Sequence, residues 1–300
     1  MIDRSALAAL AAVLHSGSFD SAAAQLRITQ SAVSQRIKAL EDAIGTTLIR
    51  RTRPATPTDA GRRLWAHAEA VGLLERGLAR DLAGLLPTAI TPLRIAVTAD
   101  SLATWVLPAL AKIDGVLFDL VIDDQDHSAE LLRAGEVAAA ITASARPVPG
   151  CDALALGALR YVGFAAPDFA ARHFPQGVTA ASLAMAPALT FNRKDGLQRL
   201  WAEVVTGARV QPVTHYLGST HGITEAACAG LGWAVNPDRL INPLIASGQL
   251  VDLAPSVRID TPLFWQVPRQ NAAVLADLTQ SLRHAARVVL GGDLSAPTRA

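Results

Sequence analysis

The sequence predicts a small helical unit at the N-terminus, one long helix after it, and a larger α/β domain in the rest of the chain. Three observations indicate this division. Apolar residues recur at helical spacing through roughly the first 45 positions and again from 59 to 86. From Leu93 onward, short apolar strands alternate with helical segments. With 300 residues, the chain is long enough for two or more such units.

The first two predicted helices are short and joined by a tight turn. The first carries an apolar stripe and ends at Gly17, and the second, about 21–26, is rich in alanine and can pack closely. Ser18 or Asp20 can cap the second helix, and Thr29 is placed to cap a third. This arrangement is typical of a helix-turn-helix.

The third predicted helix, within 29–45, has one apolar side and one unusually polar side. Val33, Ile37 and Leu40 form the apolar stripe, which Ile44 extends. The opposite arc carries small, amide and basic side chains, namely Ser31, Ser34, Gln35 and Lys38, with Arg36 beside them. Such groups suit base edges and phosphates in a DNA major groove. The alternative is an ordinary helical bundle whose third helix is merely exposed.

The segment 46–61 predicts a two-stranded wing, because Pro54 and Pro57 interrupt any helix and Thr58 can cap a new one. Between 21 and 63 there are eight basic and three acidic residues, a local net charge of +5 in a chain whose total is +1. Such concentrated positive charge indicates a phosphate-binding surface. The residues expected to contact DNA are Thr29, Gln30, Ser31, Ser34, Gln35, Arg36, Lys38, Arg50, Arg51 and Arg53.

Residues 3–65 resemble the winged helix-turn-helix of the LysR-type transcriptional regulators. The matching residues are Gly17–Ser18–Phe19, Ala22–Ala23, Leu26, Thr29–Gln30–Ser31–Ala32–Val33–Ser34, Ile37, Leu40–Glu41, Gly45, Leu48, Arg51 and Thr58–Asp59–Ala60–Gly61. Two positions depart from the family pattern, Asp20 and the wing tip at Arg53–Pro54. We therefore expect a DNA-binding domain over 1–58.

The next segment, 59–87, predicts a linker helix. Its apolar stripe runs through Leu64, Ala68, Val71, Leu74, Leu78, Leu82 and Leu85. The resemblance implies that this helix pairs with a second copy of the chain. The alternative is that the helix packs on its own C-terminal domain. Pro87 and Pro92 then mark a hinge.

The resemblance extends to an effector-binding domain over 92–290, a two-lobed α/β fold like the type II periplasmic binding proteins. It implies one lobe from 92–162 with 265–290, a second lobe from 163–264, and a ligand in the cleft between them. Residues 291–300 are expected to form a disordered tail.

Four phrases resemble the arginine- and lysine-responsive ArgP/LysG subgroup, whose members activate genes for export of basic amino acids. They are Ala99–Asp100–Ser101–Leu102–Ala103–Thr104–Trp105, Asp123–Asp124–Gln125–Asp126–His127, Phe191–Asn192–Arg193–Lys194–Asp195 and Gly230–Leu231–Gly232–Trp233. The resemblance implies an effector that is a basic amino acid, lysine or arginine.

Residue chemistry points the same way. Ser101, at the start of a helix after the first strand, suits a carboxylate. Carboxylates at 123, 124 and 126 follow the second strand, where a cation would offset their repulsion, although a hydrated turn is equally consistent. His221 is at least as consistent with a structural role. The expected effector contacts are Ser101, Thr104, Asp123, Asp124, Asp126, Thr142, Ser219 and His221.

Other classes of protein find little support. Cys151 and Cys228 lie in no metal or disulfide motif, and no hydrolase, metalloprotease or nucleotide-binding motif occurs, so neither enzyme activity, a metal nor a cofactor is expected. The N-terminus has no signal segment and no apolar run spans a membrane, which predicts a cytoplasmic protein. The expected partners are promoter DNA, further copies of the chain and RNA polymerase. Two alternatives stay open: a LysR-type regulator that responds to a different small carboxylate, and an architectural DNA binder without a ligand.

Overall fold

The computed structural model describes residues 2–81, 92–122 and 127–291. Among these residues, no helix is both long enough and apolar enough to cross a membrane. The N-terminal domain contains α1 (Arg4–Ser16), α2 (Phe19–Leu26) and α3 (Gln30–Ile44), followed by strands β1 (Ile49–Arg50) and β2 (Thr56–Pro57). The predicted helix-turn-helix and wing are therefore confirmed.

Local residue chemistry sets the ends of these helices. The Ser18 side chain caps α2 and the Thr29 side chain caps α3, while Gly17 and Gly45 end α1 and α3 in the left-handed conformation. Gly17 also lies against the wing, since a side-chain carbon there would come within 2.8 Å of the Cβ of Pro54. The wing is thus held directly on the turn between α1 and α2.

The linker helix is α4 (Asp59–Asp81), and it presents two different apolar faces. Trp65 is buried in the N-terminal core, and Leu73 is buried in the core of the C-terminal domain. On the predicted pairing stripe, Leu74 is 59% exposed and Leu78 is 54% exposed. The helix therefore packs on its own C-terminal domain through one face and leaves Leu74 and Leu78 exposed, while Leu64, Ala68 and Val71 of the same stripe are half-buried. Leu82 and Leu85 lie outside the described residues.

The C-terminal domain is built on a seven-stranded mixed sheet. Its strands are β3 (Leu93–Val97), β4 (Phe118–Ile122), β5 (Ala139–Thr142), β6 (Cys151–Ala165), β9 (Ala234–Pro237), β10 (Val251–Asp252) and β11 (Ile259–Pro268). They neighbour one another in the order β10-β6-β11-β5-β3-β4, with β9 also paired to β6. A second, parallel pair consists of β7 (Ala188–Thr190) and β8 (Thr214–Tyr216).

Helices cover both sheets. They are α5 (Ala99–Ser101), which continues as a π-helix (Leu102–Val106) into α6 (Leu107–Leu110), then α7 (His127–Ala134), α8 (Pro167–His173), α9 (Ala180–Met185), α10 (Leu197–Thr206), α11 (Thr220–Cys228), α12 (Asp238–Ala246), a 3₁₀ turn (Arg269–Asn271) and α13 (Ala276–Val289). The predicted two-lobed α/β domain is confirmed.

The two lobes are joined by the long antiparallel strands β6 and β11, which pair from Ile259 with Tyr161 to Pro268 with Cys151. Lobe I is built on the parallel strands β4-β3-β5, and lobe II on β7, β8 and β9. Both long strands run without a break through the predicted lobe boundaries at 162/163 and 264/265. The carboxyl ends of β3 and β7 face the space between the lobes, so the residues that follow these strands line that space.

Candidate functional site

Six of the ten predicted DNA contacts lie on α3, and the others are its cap and the three arginines at 50, 51 and 53. Val33, Ile37 and Leu40 are buried against the other helices, which turns the opposite side of α3 outward. Ser34 and Arg36 are half-buried. The exposed predicted contacts are Thr29, Gln30, Ser31, Gln35, Lys38, Arg50, Arg51 and Arg53.

The wing is anchored to α3 and to the turn before α2. The Glu41 carboxylate accepts hydrogen bonds from the backbone N–H groups of Leu48 (2.8 Å) and Ile49 (3.3 Å). The Arg51 guanidinium lies 5.3 Å from the centre of the Phe19 ring, a cation–π contact. These contacts fix the wing against α3 and the start of α2.

A cavity of about 550 Å³ lies between the two lobes. Lobe I contributes the end of β3 and the start of α5, and lobe II contributes the turn after β7 and the start of α11. The long strands β6 and β11, which join the lobes, form the floor. Its described lining residues are Thr98, Ala99, Asp100, Glu130, Tyr161, Phe191, Asn192, Lys194, Asp195, Gly196, Leu197, Leu200, Thr220, Ile223, Val235, Asn236 and Thr261.

Asp100 is the polar centre of this cavity. Its Oδ1 accepts a hydrogen bond from the Thr220 hydroxyl at 2.7 Å, and its Oδ2 accepts one from the Tyr161 hydroxyl at 2.9 Å. Burial raises the pKa of Asp100, and the nearby Asp195 raises it further, against the lowering effect of the two hydrogen bonds. Burial and the Asp100 charge likewise raise the pKa of Tyr161 well above its usual value. The result is a buried carboxyl with two donors already in place.

The lobe II side of the cavity is held by side-chain to backbone hydrogen bonds. Asn192 Oδ1 accepts from the N–H groups of Lys194 (2.8 Å) and Asp195 (3.0 Å). Asp195 in turn accepts from the N–H of Leu197 at 2.9 Å, at the start of α10. The Asn236 amide donates to the Thr220 carbonyl oxygen at 2.9 Å. These bonds fix the acidic and amide groups of the lobe II wall before any ligand arrives.

Five of the predicted effector contacts lie outside the lining of this cavity. None of Ser101, Thr104, Thr142, Ser219 and His221 is among the described residues that line the cavity. Ser101 is fully buried and its hydroxyl accepts from Thr98 Oγ1 at 2.8 Å. The Thr104 hydroxyl donates to the carbonyl oxygen of Asp100 at 2.6 Å.

Thr142 is fully buried and its hydroxyl accepts from the Gln266 amide at 3.0 Å. Ser219 caps α11, accepting from the N–H of Gly222, and His221 is exposed. The predicted contacts Asp123, Asp124 and Asp126 lie outside the described residues.

Sequence reasoning missed Asp100, Tyr161, Asp195 and Thr220 as site residues. A usable indication existed for two of them. Asp100 follows β3 and Asp195 follows β7, and polar residues just beyond the carboxyl ends of parallel strands are where ligands bind in such sheets. Tyr161 lies within a strand and Thr220 begins a helix, so only the folded structure brings them to Asp100.

Comparisons with known proteins agree with both domains. The family of bacterial regulatory helix-turn-helix proteins of the lysR type matches residues 5–62, and the LysR substrate binding domain matches residues 90–287. The chain is 45% identical to the HTH-type transcriptional regulator ArgP of Pseudomonas aeruginosa over 286 residues, which is 94% of this chain and 95% of that protein.

Two solved structures are also similar. ArgP from Mycobacterium tuberculosis matches with a TM-score of 0.81 and 41% identity, over 98% of this chain and 100% of that one. Full-length LysG from Corynebacterium glutamicum with bound effector Arg matches with a TM-score of 0.69 and 36% identity, over 96% and 99%. With this domain order, the polar-faced third helix and the two-lobed α/β domain, the chain belongs to the LysR family of DNA-binding transcriptional regulators.

Proposed function

We propose that this regulator responds to a basic amino acid, lysine or arginine, held in the cavity between its lobes. The observation that carries the proposal is the charge of the cavity wall. Asp100, Glu130 and Asp195 line it, against Lys194 as the basic residue among the described lining residues. A buried carboxyl beside a second carboxyl is costly to ionise, and a ligand cation offsets that cost.

The cavity also offers partners for an α-carboxylate. Lys194 lies on the lobe II wall, and α11 begins at Thr220 on the same side, with the N–H groups of its first turn near the cavity. A zwitterion with a cationic side chain places one negative and two positive groups in such a cavity. The similarity to a LysG structure with bound arginine supports the same ligand class.

The DNA side of the proposal rests on α3 and the wing. The exposed Gln35 and its neighbours read base edges, and the wing arginines contact phosphates. The uncovered Leu74 and Leu78 support pairing of α4 with a second copy, which would space two recognition helices by whole turns of DNA. On the strength of the subgroup resemblance, we also propose an exporter of basic amino acids as the regulated gene and activation through contact with RNA polymerase.

Calorimetry of the full chain with four amino acids tests the ligand class. L-lysine and L-arginine carry the side-chain cation, L-norleucine is the neutral counterpart of lysine, and L-glutamate is a small acid. We expect lysine or arginine to bind at least about tenfold more tightly than norleucine, corresponding to about 1.4 kcal/mol. Equal binding of norleucine, preference for glutamate, or no heat with any of the four would overturn the proposal.

A further inference from the structure

Five side chains join the DNA-binding domain to the effector domain of the same chain. We call them the interdomain cluster. They come from α1, α4, β3 and β4, and they are His15, Trp65, Glu69, Arg94 and Asp119.

His15 lies between two carboxylates that belong to different domains. Its Nδ1 is 3.4 Å from Glu69 Oε1 on the linker helix, and its Nε2 is 3.5 Å from Asp119 Oδ2 on β4. Glu69 also accepts a hydrogen bond from the Trp65 indole N–H at 3.2 Å. The side chains of His15 and Glu69 are only 18% and 12% exposed, so solvent screens this contact weakly.

Arg94 completes the cluster from the effector domain. Its Nε is 3.4 Å from the same oxygen of Asp119, and its guanidinium lies 5.7 Å from the centre of the Trp65 ring. Both His15 Nε2 and Arg94 Nε are buried, and neither makes a hydrogen bond of good geometry. The two nitrogens thus share one carboxylate at ion-pair distance. A small shift of Asp119 changes its distance to both.

The surrounding packing keeps the two domains in close contact. A side-chain carbon added at Gly135, which ends α7, would come within 2.1 Å of the Cβ of Ala66 on α4. Leu73, two helical turns beyond Ala66 on α4, is part of the effector domain core. Because the chain at Gly135 lies against α4 and Leu73 is buried in the effector domain, a displacement of the effector domain would act on the linker helix through close-packed contacts.

The same strands connect the cluster to the cavity. Arg94 and Asp119 are paired residues near the starts of the parallel strands β3 and β4. β3 ends at Val97, and Thr98 and Asp100, which follow it directly, line the cavity. From Arg94 to Thr98 the extended chain spans about 13 Å, at roughly 3.3 Å per residue. One short strand therefore carries the interdomain contact at its start and the cavity wall at its end.

We propose that the interdomain cluster couples the cavity to the DNA-binding domain, so that ligand in the cavity changes the position of that domain through β3 and β4. The inference rests on the proposed function, because it requires a ligand in the cavity. Such coupling is reciprocal, so DNA changes ligand affinity by the same factor as ligand changes DNA affinity. It requires that the cluster have two arrangements, and that the cavity bind the ligand more tightly in one of them than in the other.

The test uses the full chain and two conservative polar variants on different domains, the isosteric Asp119→Asn and the uncharged His15→Gln. Asp260→Asn is the matched control, since Asp260 pairs with Arg160 within the effector domain at 2.8 Å. Affinity for L-lysine and L-arginine is measured by calorimetry with and without a DNA duplex selected by the wild-type protein from random sequences. The readout, for each amino acid, is the ratio of its affinity with DNA to its affinity without DNA.

In both cluster variants we expect ligand affinity without DNA to stay within about twofold of wild type, while the ratio falls at least about threefold toward one, with the control unchanged. Retained ligand binding also shows that the variant is folded. If both variants keep the wild-type ratio, the coupling is wrong while the proposed function stands. If the wild-type protein binds neither amino acid, the proposed function fails and the coupling fails with it.

Discussion

Across the cavity, the Thr220 hydroxyl donates a 2.7 Å hydrogen bond to Asp100 Oδ1, joining residues 120 positions apart in the chain. Asp100 belongs to lobe I and Thr220 to lobe II, so the carboxyl is both part of the cavity wall and a contact between lobes. Tyr161 on the connecting strand holds its other oxygen at 2.9 Å. A ligand cation at Asp100 therefore acts on a group that both lobes share.

Replacing Asp100 with Asn is expected to weaken L-lysine binding at least about tenfold. The amide keeps the size of the side chain but removes the charge, and hydrogen bonds to charged groups contribute about 1.5–3 kcal/mol. Calorimetry of the variant checks this, with Asp260→Asn as a control because that carboxylate pairs with Arg160 instead. Equal lysine affinity in the Asp100 variant and wild type would remove this carboxyl from the site.

Asp100 also predicts a pH dependence of stability. Burial raises its pKa in the folded protein above the ordinary value of 3.8. The folded state therefore holds this proton more tightly, and the resulting stabilisation is present below 3.8 and is lost as pH rises through the raised pKa. Urea unfolding from about pH 4 to pH 8 should show wild type losing stability relative to Asp100→Asn as pH rises. Parallel pH profiles for the two proteins would contradict the assignment.

Replacing Gln35 with Ala should relax base preference. The side chain is exposed on the polar face of α3, where a glutamine amide is suited to pair with an adenine edge. Loss of such a contact costs about 1–3 kcal/mol of discrimination at one position. Binding to the selected duplex and to its single-base variants measures this. Unchanged discrimination between bases at every position would show that α3 contacts DNA in another orientation.

Replacing Arg51 with Ala should weaken binding to all sequences alike. The exposed guanidinium, held over Phe19, is placed to meet a phosphate, and loss of one phosphate contact reduces the slope of log affinity against log salt by about one. Fluorescence anisotropy over a salt series checks the slope, with Arg172→Ala in the effector domain as the control. A sequence-specific loss with an unchanged slope would argue for a base contact at Arg51.

Two exposed leucines on α4 predict self-association. Leu74 and Leu78 are 59% and 54% exposed in a single chain, and a second α4 would bury them. The double substitution to Gln should shift sedimentation toward smaller species and weaken DNA binding. Met185→Gln is the control, because that side chain is 79% exposed on α9. If the double variant sediments as wild type, association uses another surface.

The N-terminal domain was predictable because its information is local. Ser18, Thr29, Gly17 and Gly45 cap or end helices within a few residues of themselves, and the stripe of α3 follows helical spacing. The apolar run that is typical of a strand begins only at Tyr161, whereas β6 begins at Cys151. Its first half is rich in alanine and leucine and lacks the alternation of apolar and polar residues that marks a half-buried strand. Its pairing partner, β11, lies about a hundred positions away in the chain.

The cavity was less predictable because side-chain direction depends on where a helix begins. The sequence predicts a helix that is entered at Ser101, with the Ser101 hydroxyl facing the ligand. In the structure Thr98 is the cap, α5 begins at Ala99, and the hydroxyl of Ser101 is turned inward to Thr98. A start three residues earlier places Asp100, rather than Ser101, on the cavity side. Thr98 and Ser101 are both favourable cap residues, so the sequence does not distinguish between the two starts.

The most direct test of a cationic amino acid as effector is titration of L-lysine, L-arginine and L-norleucine into the complex of full-length protein with its selected DNA duplex. Fluorescence anisotropy or footprinting follows the DNA, and Asp100→Asn is titrated alongside. The account predicts that lysine or arginine changes DNA binding or its footprint, that norleucine does not at the same concentration, and that the response shifts to at least about tenfold higher ligand in the variant. The same response to norleucine, or an unshifted response in Asp100→Asn, would contradict it.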